Sequence, residues 1–138
     1  MEQFTPYGHA LVSVALYALV ANILNAATGI RKGALDLAPG ATPLADYANP
    51  AWRLDRTYMN TVEMLAFYAA VVFAAILAGA DSTWVNWLAT IGFVTRLGVA
   101  AVYMPGVGKG YGGIRTIFNI IGSLANIGLV LLTILAVF

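Results

Sequence analysis

The sequence predicts an all-α integral membrane protein, a bundle of four transmembrane helices in a single domain spanning residues 1–138. Three observations carry that prediction. Of the 138 residues, 61% are hydrophobic and only 9% are charged, whereas an ordinary soluble domain is about 25% charged; this chain cannot cover a compact surface with charge. Four apolar runs, residues 4–30, 57–79, 84–104 and 114–138, each reach the roughly 20 residues that a helix needs to cross a bilayer. Each run is apolar around its whole circumference rather than along one stripe, as lipid-embedded helices are. A β-barrel would instead show alternating segments of about ten residues, and backbone groups in hydrocarbon must be paired within the segment, which a helix achieves.

The first run, 4–30, carries one ionisable side chain, His9. It lacks a basic leader, and its apolar core exceeds the usual 7–15 residues of a signal peptide, so it reads as a retained helix. A long connection follows, 31–56, rich in Pro, Asp and Gly (Pro39, Gly40, Pro43, Asn49, Pro50). The second run holds one acid, Glu63. Only Ala80, Asp81, Ser82 and Thr83 separate it from the third, which predicts a tight antiparallel hairpin. The third run holds one base, Arg96. A glycine-rich connection, 105–113, contains Lys109 and lacks both the spacing and the preceding strand of a phosphate loop. Arg115 opens the fourth run.

Basic residues set an orientation. Arg31, Lys32, Arg53 and Arg56 flank the first connection, and Lys109 and Arg115 flank the third; the second connection and the termini carry none. The positive-inside rule then makes the first and third connections cytoplasmic and puts both termini on the opposite side. The net charge of +1 is too small for a nucleic-acid footprint, and the absence of cysteine excludes disulfides, thiolate metal sites and a cysteine nucleophile. No metal site is expected.

Ionisable groups inside spanning helices cost about 2.5–3.5 kcal/mol each and face a bundle interior or a cavity. Arg56, Asn60 and Glu63 stand at i, i+4 and i+7 and share a helical face, and Arg96 shares one with Tyr103. Counting from the helix ends puts Glu63 and Arg96 at similar depth, which allows an ion pair; mutual neutralisation is one reading of the two. Arg53, Arg56, Arg96 and Arg115 outnumber the single acid, however. Guanidinium groups fork onto carboxylates, so the excess points to a site for a small anion with several carboxylates; snorkelling to the interface is the competing reading for Arg53, Arg56 and Arg115. His9 reads as an interfacial or packed histidine. Asn22 and Asn25 read as cross-helix hydrogen-bonding residues. Trp84 and Trp87 read as an aromatic belt, and Gly122, Ser123, Ala125, Asn126 and Gly128 as a close-packing face.

The segment from Trp52 to Phe67 (WRLDRTYMNTVEMLAF) resembles a signature of the MAPEG family, the membrane-associated proteins of eicosanoid and glutathione metabolism. Arg56, Asn60 and Glu63 fit its Arg-x3-Asn-x2-Glu pattern, with Arg53 three residues ahead; Arg96, Tyr103 and Arg115 fit the third and fourth helices. Tyr58, Met64, Ala66 and Val99 depart from residues common in the family. The resemblance implies a homotrimer binding glutathione between neighbouring subunits in the cytoplasmic half of the membrane. Carried over by position, Arg31, Arg53, Arg56, Asn60, Glu63, Arg96 and Tyr103 would hold glutathione, and Arg115 would stabilise its thiolate. The implied activity is a glutathione-dependent transferase or peroxidase acting on lipophilic small molecules that arrive through the membrane lipids, in a bacterial inner membrane. A non-catalytic lipid-binding or scaffold member of the same fold is the alternative. A small multidrug exporter is a third reading; it would need a glutamate in the first helix, which has none.

Overall fold

The computed structural model describes residues 2–38, 40–108 and 112–138; Pro39 and Lys109, marked above, lie outside them, as does the middle of the glycine-rich connection. Among the described residues the regular structure is helical, with no strand. A short 3-10 turn, Glu2–Tyr7, leads into α1 (Gly8–Gly33), followed by α2 (Pro50–Leu77), α3 (Ser82–Tyr103) and α4 (Ile114–Val137). All four are long and apolar enough to cross a membrane.

Helix α2 begins at Pro50, about two turns before its apolar run. The signal is local chemistry rather than hydropathy. The Asn49 side chain accepts from Ala51 N at 3.0 Å, and Pro50 occupies the first helical position, where its missing N–H costs nothing. Arg53 and Arg56 are therefore helical residues and not parts of a loop. The α2–α3 hairpin closes through Gly79 at φ 70°, with Ala80 N bonded to Ala75 O at 3.0 Å and Gly79 N to Ile76 O at 3.1 Å. That paired pattern needs a left-handed residue, which glycine adopts without a Cβ penalty. Asp81 then caps α3 by accepting from Trp84 N at 3.1 Å.

The bundle is divided along its length. In the half that holds the N-terminus and the α2–α3 hairpin, an apolar core forms from Ala10, Tyr17, Tyr68, Val72, Ala75, Val85, Ala89 and Leu129, among others. Two of its tyrosines close onto backbone: Tyr68 Oη donates to Ala89 O at 2.8 Å, and Tyr7 Oη to Ala80 O at 2.5 Å; buried Asn126 Oδ1, beside Tyr68 and Gly92, has no partner among the described residues. Asn86 of α3 accepts from Ala10 N at 2.9 Å and donates to Pro6 O at 2.7 Å, capping α1 from a neighbouring helix. The seam between α3 and α4 is the most extensive, and small residues make it close. A Cβ on Gly122 would lie 2.7 Å from Thr95 Oγ1, and one on Gly98 would lie 2.8 Å from the Phe118 ring. Only Gly122, Ala125 and Leu129 of α4 are buried, so most of its apolar surface faces outward.

At the other end the two longer connections meet. Tyr47 Oη donates to Val107 O at 3.4 Å, and Arg53 Nε donates to Met104 O at 3.0 Å. Two expectations need correction. Asn22 does not bridge helices: its Nδ2 donates to Ala18 O of its own helix at 2.9 Å, on an exposed face. Glu63 does not pair with Arg96. It points out of the bundle and lies 3.6 Å from Arg56 Nη1, because it is two residues, about 200° of rotation, beyond buried Thr61.

Candidate functional site

A cavity of about 380 Å³ opens in the polar half of the bundle, between α2, α3 and α4. Its walls include Trp52, Arg56, Thr57 and Asn60 of α2, Arg96 and Tyr103 of α3, and Arg115 and Asn119 of α4. Five residues singled out from the sequence, Arg56, Asn60, Arg96, Tyr103 and Arg115, are thus brought together. Two-turn spacing on α3 puts Arg96 and Tyr103 on one side, and the early start of α2 carries Arg56 to the same level.

Arg96 is the centre of the arrangement. It is 8% exposed. Its Nε donates to Tyr17 Oη at 3.1 Å, its Nη1 to Asn119 Oδ1 at 2.6 Å and its Nη2 to Asn60 Oδ1 at 2.5 Å. One guanidinium therefore joins all four helices. None of its partners is charged, and among the described residues no carboxylate lies within ion-pairing distance of it.

The cavity's other cations sit nearer the mouth. The Arg115 guanidinium lies over the Tyr103 ring, 4.7 Å from its centroid, a cation–π contact that orients it without neutralising it. Tyr103 in turn packs between Tyr47, at 5.5 Å between ring centroids, and Trp52, at 6.2 Å. Arg56 is exposed, and its 3.6 Å approach to half-exposed Glu63 is a weak surface pair. The lining thus contains three arginines and, among the described residues, no aspartate or glutamate. In a setting of reduced dielectric, such a cluster attracts anions more strongly than it would in water.

The remaining sequence candidates lie elsewhere. Arg53 has its guanidinium committed to backbone: Nη1 donates to Tyr47 O at 2.6 Å and Ala48 O at 3.1 Å, besides the Nε bond to Met104 O. It clamps the first connection onto the end of α3, where Gly106 at φ 80° leaves room; a Cβ there would lie 2.9 Å from Arg53 Cζ. Glu63 is at the rim of α2, outside the cavity lining. Arg31 is exposed on the last turn of α1 and does not line the cavity.

A second cleft of about 810 Å³ lies between α1, the first connection and α2, and shares Trp52 and Arg56 with the first. Inside it Lys32 Nζ and Asp55 Oδ1 form a buried ion pair at 2.6 Å. His9 lines a separate apolar groove at the opposite end, with Ser13, Asn86 and Phe93. No cluster of three metal-ligating side chains occurs among the described residues.

Sequence reasoning missed Tyr17, Trp52 and Asn119 as parts of this arrangement. A signal for Asn119 was present: Arg115 and Asn119 repeat the four-residue spacing of Arg56 and Asn60.

The geometry defines a four-helix membrane protein with a cationic cavity, free of acids among the described residues, at the end where its two longer connections meet. The MAPEG family model matches residues 7–135 of the chain. The protein belongs to the MAPEG family. It is an integral membrane protein, of a family of helical membrane bundles that includes glutathione transferases, peroxidases and leukotriene C4 synthases. No curated protein matches the chain.

Proposed function

We propose that the protein is a glutathione-dependent transferase or peroxidase that activates the glutathione thiol for attack on lipophilic electrophiles. The observation that carries this reading is the cavity lined by Arg56, Arg96 and Arg115 without an acid. Glutathione supplies two carboxylates, and with them the counter-charge that the lining lacks. In this reading Arg56, Asn60, Arg96 and Tyr103 hold the tripeptide. Glu63 and Arg31 contribute from the rims, as they would across contacts in a homotrimer, and Arg53 fixes the wall. The cytoplasmic side is the end bearing Arg31, Lys32, Arg53, Arg56 and Arg115, and a bacterial inner membrane is the setting.

Arg115 is the catalytic group. A free thiol with a pKa of about 8.5 is mostly protonated at neutral pH, and the thiolate is the nucleophile. A guanidinium beside the sulfur favours the charged form and lowers that pKa. Tyr103 holds Arg115 from below through its ring face, leaving the guanidinium N–H groups for the sulfur. The thiol proton leaves to solvent through the cavity mouth. The sulfur then forms a C–S bond with the electrophile, whose leaving group departs with the bonding electron pair.

The test is a glutathione titration of detergent-purified protein followed at the thiolate absorbance near 240 nm, repeated across pH. Wild type should show a saturable signal with a midpoint below the free-thiol value of about 8.5. In Arg115→Ala the midpoint should rise towards that value while binding persists. Binding with no thiolate signal in wild type would overturn the activation mechanism, and no binding would favour a lipid-binding or scaffold role.

A further inference from the structure

Arg96 is buried in a membrane-crossing helix, yet its three partners, Tyr17, Asn60 and Asn119, are all neutral. A carboxylate in place of either asparagine would accept the same N–H and would also cancel the charge. The asparagines do the first without the second. They approach from opposite sides on matched spacings, Asn60 four residues after Arg56 and Asn119 four after Arg115. The guanidinium is a donor only, so it fixes which end of each amide faces it. Each Oδ1 is turned to Arg96, each Nδ2 is turned away, and both residues line the cavity. No hydrogen-bond acceptor among the described residues takes either Nδ2. Arg96 has five N–H donors and uses one on each nitrogen, which leaves one on Nη1 and one on Nη2.

We propose that Asn119 is a positioning residue that determines specificity for anions. Together with Asn60 it holds the Arg96 guanidinium rigidly by neutral acceptors, so that the charge stays uncompensated until a ligand carboxylate arrives. The proposal deepens the glutathione reading and rests on it for the ligand's identity. It adds that the site selects ligands bringing a carboxylate to Arg96, and that the neutrality of position 119 is what keeps this selection. A purely structural acceptor at 119 would work equally well as asparagine or aspartate, so the exchange of one for the other isolates the charge.

The experiment uses the full chain in detergent, with glutathione affinity measured by calorimetry and stability by thermal melting. The proteins are wild type, Asn119→Asp, Asn119→Leu, and Asn119→Asp in an Arg96→Gln background. Asn119→Asp should lose glutathione affinity by at least about tenfold, the scale of one hydrogen-bonded charge, while melting at or above the wild-type temperature because Arg96 gains a counter-ion. Asn119→Leu should melt below wild type and lose less affinity than Asn119→Asp. In the Arg96→Gln background, Asn119→Asp should no longer raise the melting temperature. Wild-type affinity in Asn119→Asp would overturn the proposal, as would a melting temperature below wild type in that variant. If wild type itself binds no glutathione, the functional reading fails, and the melting temperatures alone decide the inference. Asn119→Asp at or above wild type, with the effect lost without Arg96, then upholds the charge-preserving role, and the opposite order refutes it.

Discussion

The ion pair between Lys32 and Asp55 offers a sharp quantitative test, because its two members differ in what they can do when left alone. The contact is 2.6 Å, with side chains 15% and 7% exposed. At an effective dielectric of about 20, the Coulomb attraction at that separation is about 6 kcal/mol, most of it offset by desolvation. Removing one member of a buried pair costs about 3–5 kcal/mol when the other cannot escape. Asp55 cannot: it stands in the second turn of α2, and among the described residues its buried Oδ1 has no partner other than the ammonium. Lys32 can, because it sits in the last turn of α1 on a long flexible stem that reaches water at the interface. Lys32→Met should therefore destabilise by about 3–5 kcal/mol, and Asp55→Leu by clearly less. The double variant should return to within about 1–2 kcal/mol of wild type, since an apolar pair of similar volume replaces a buried ionic one at little cost. Unfolding in mixed micelles by titration with dodecyl sulfate, followed by far-ultraviolet circular dichroism, measures all three. Equal losses in the two single variants, or a loss below about 1 kcal/mol for Lys32→Met, would refute the argument.

Two further outcomes follow from the packing. Gly122→Ala places a methyl 2.7 Å from Thr95 Oγ1, whose hydroxyl is already bonded to Gly92 O at 2.9 Å and cannot swing freely; it should cost about 1–3 kcal/mol in the same unfolding assay, and Thr95→Ala should restore most of it. Asn86→Ala removes the acceptor for Ala10 N and the donor to Pro6 O, so it should cost about 1 kcal/mol, as loss of a helix cap does, and should speed amide exchange in the first turns of α1 without altering glutathione binding.

Hydropathy made the four helices, their order and the short hairpin legible, because a spanning segment must be apolar over a length set by the bilayer. It could not place the start of α2. Arg53, Asp55 and Arg56 break the apolar run there, and the helix is announced by the Asn49–Pro50 cap instead. The convergence of Arg56, Asn60, Arg96, Tyr103 and Arg115 was legible from spacing and depth. The partners of Arg96 were not, since depth fixes only how far along a helix a residue lies. The rotation of each helix about its own axis decides which side chain meets which. On α2 that rotation is set by Thr57, Thr61, Tyr68 and Val72, which face inward; it puts Asn60 at the edge of the buried face, within reach of Arg96, and turns Glu63 outside. Tyr17 looked like one more aromatic in an apolar run, and only its packing at 5.2 Å against the Tyr68 ring places its hydroxyl at the boundary between the two halves of the bundle.

That boundary explains how one small bundle can hold an uncompensated charge. In the apolar half Tyr7, Tyr68 and Asn86 all close onto backbone, and the seam of small residues brings α3 and α4 together. Arg96 meets that half at Tyr17 Oη, which accepts from its Nε. The polar half has the opposite character, with donors in excess of acceptors and three arginines that no acid of the cavity opposes. A substitution that balanced those charges internally would stabilise the chain and close the site to anions. The separation of the two halves along the helix axes lets packing secure the fold at one end while the electrostatic imbalance at the other is kept for a ligand.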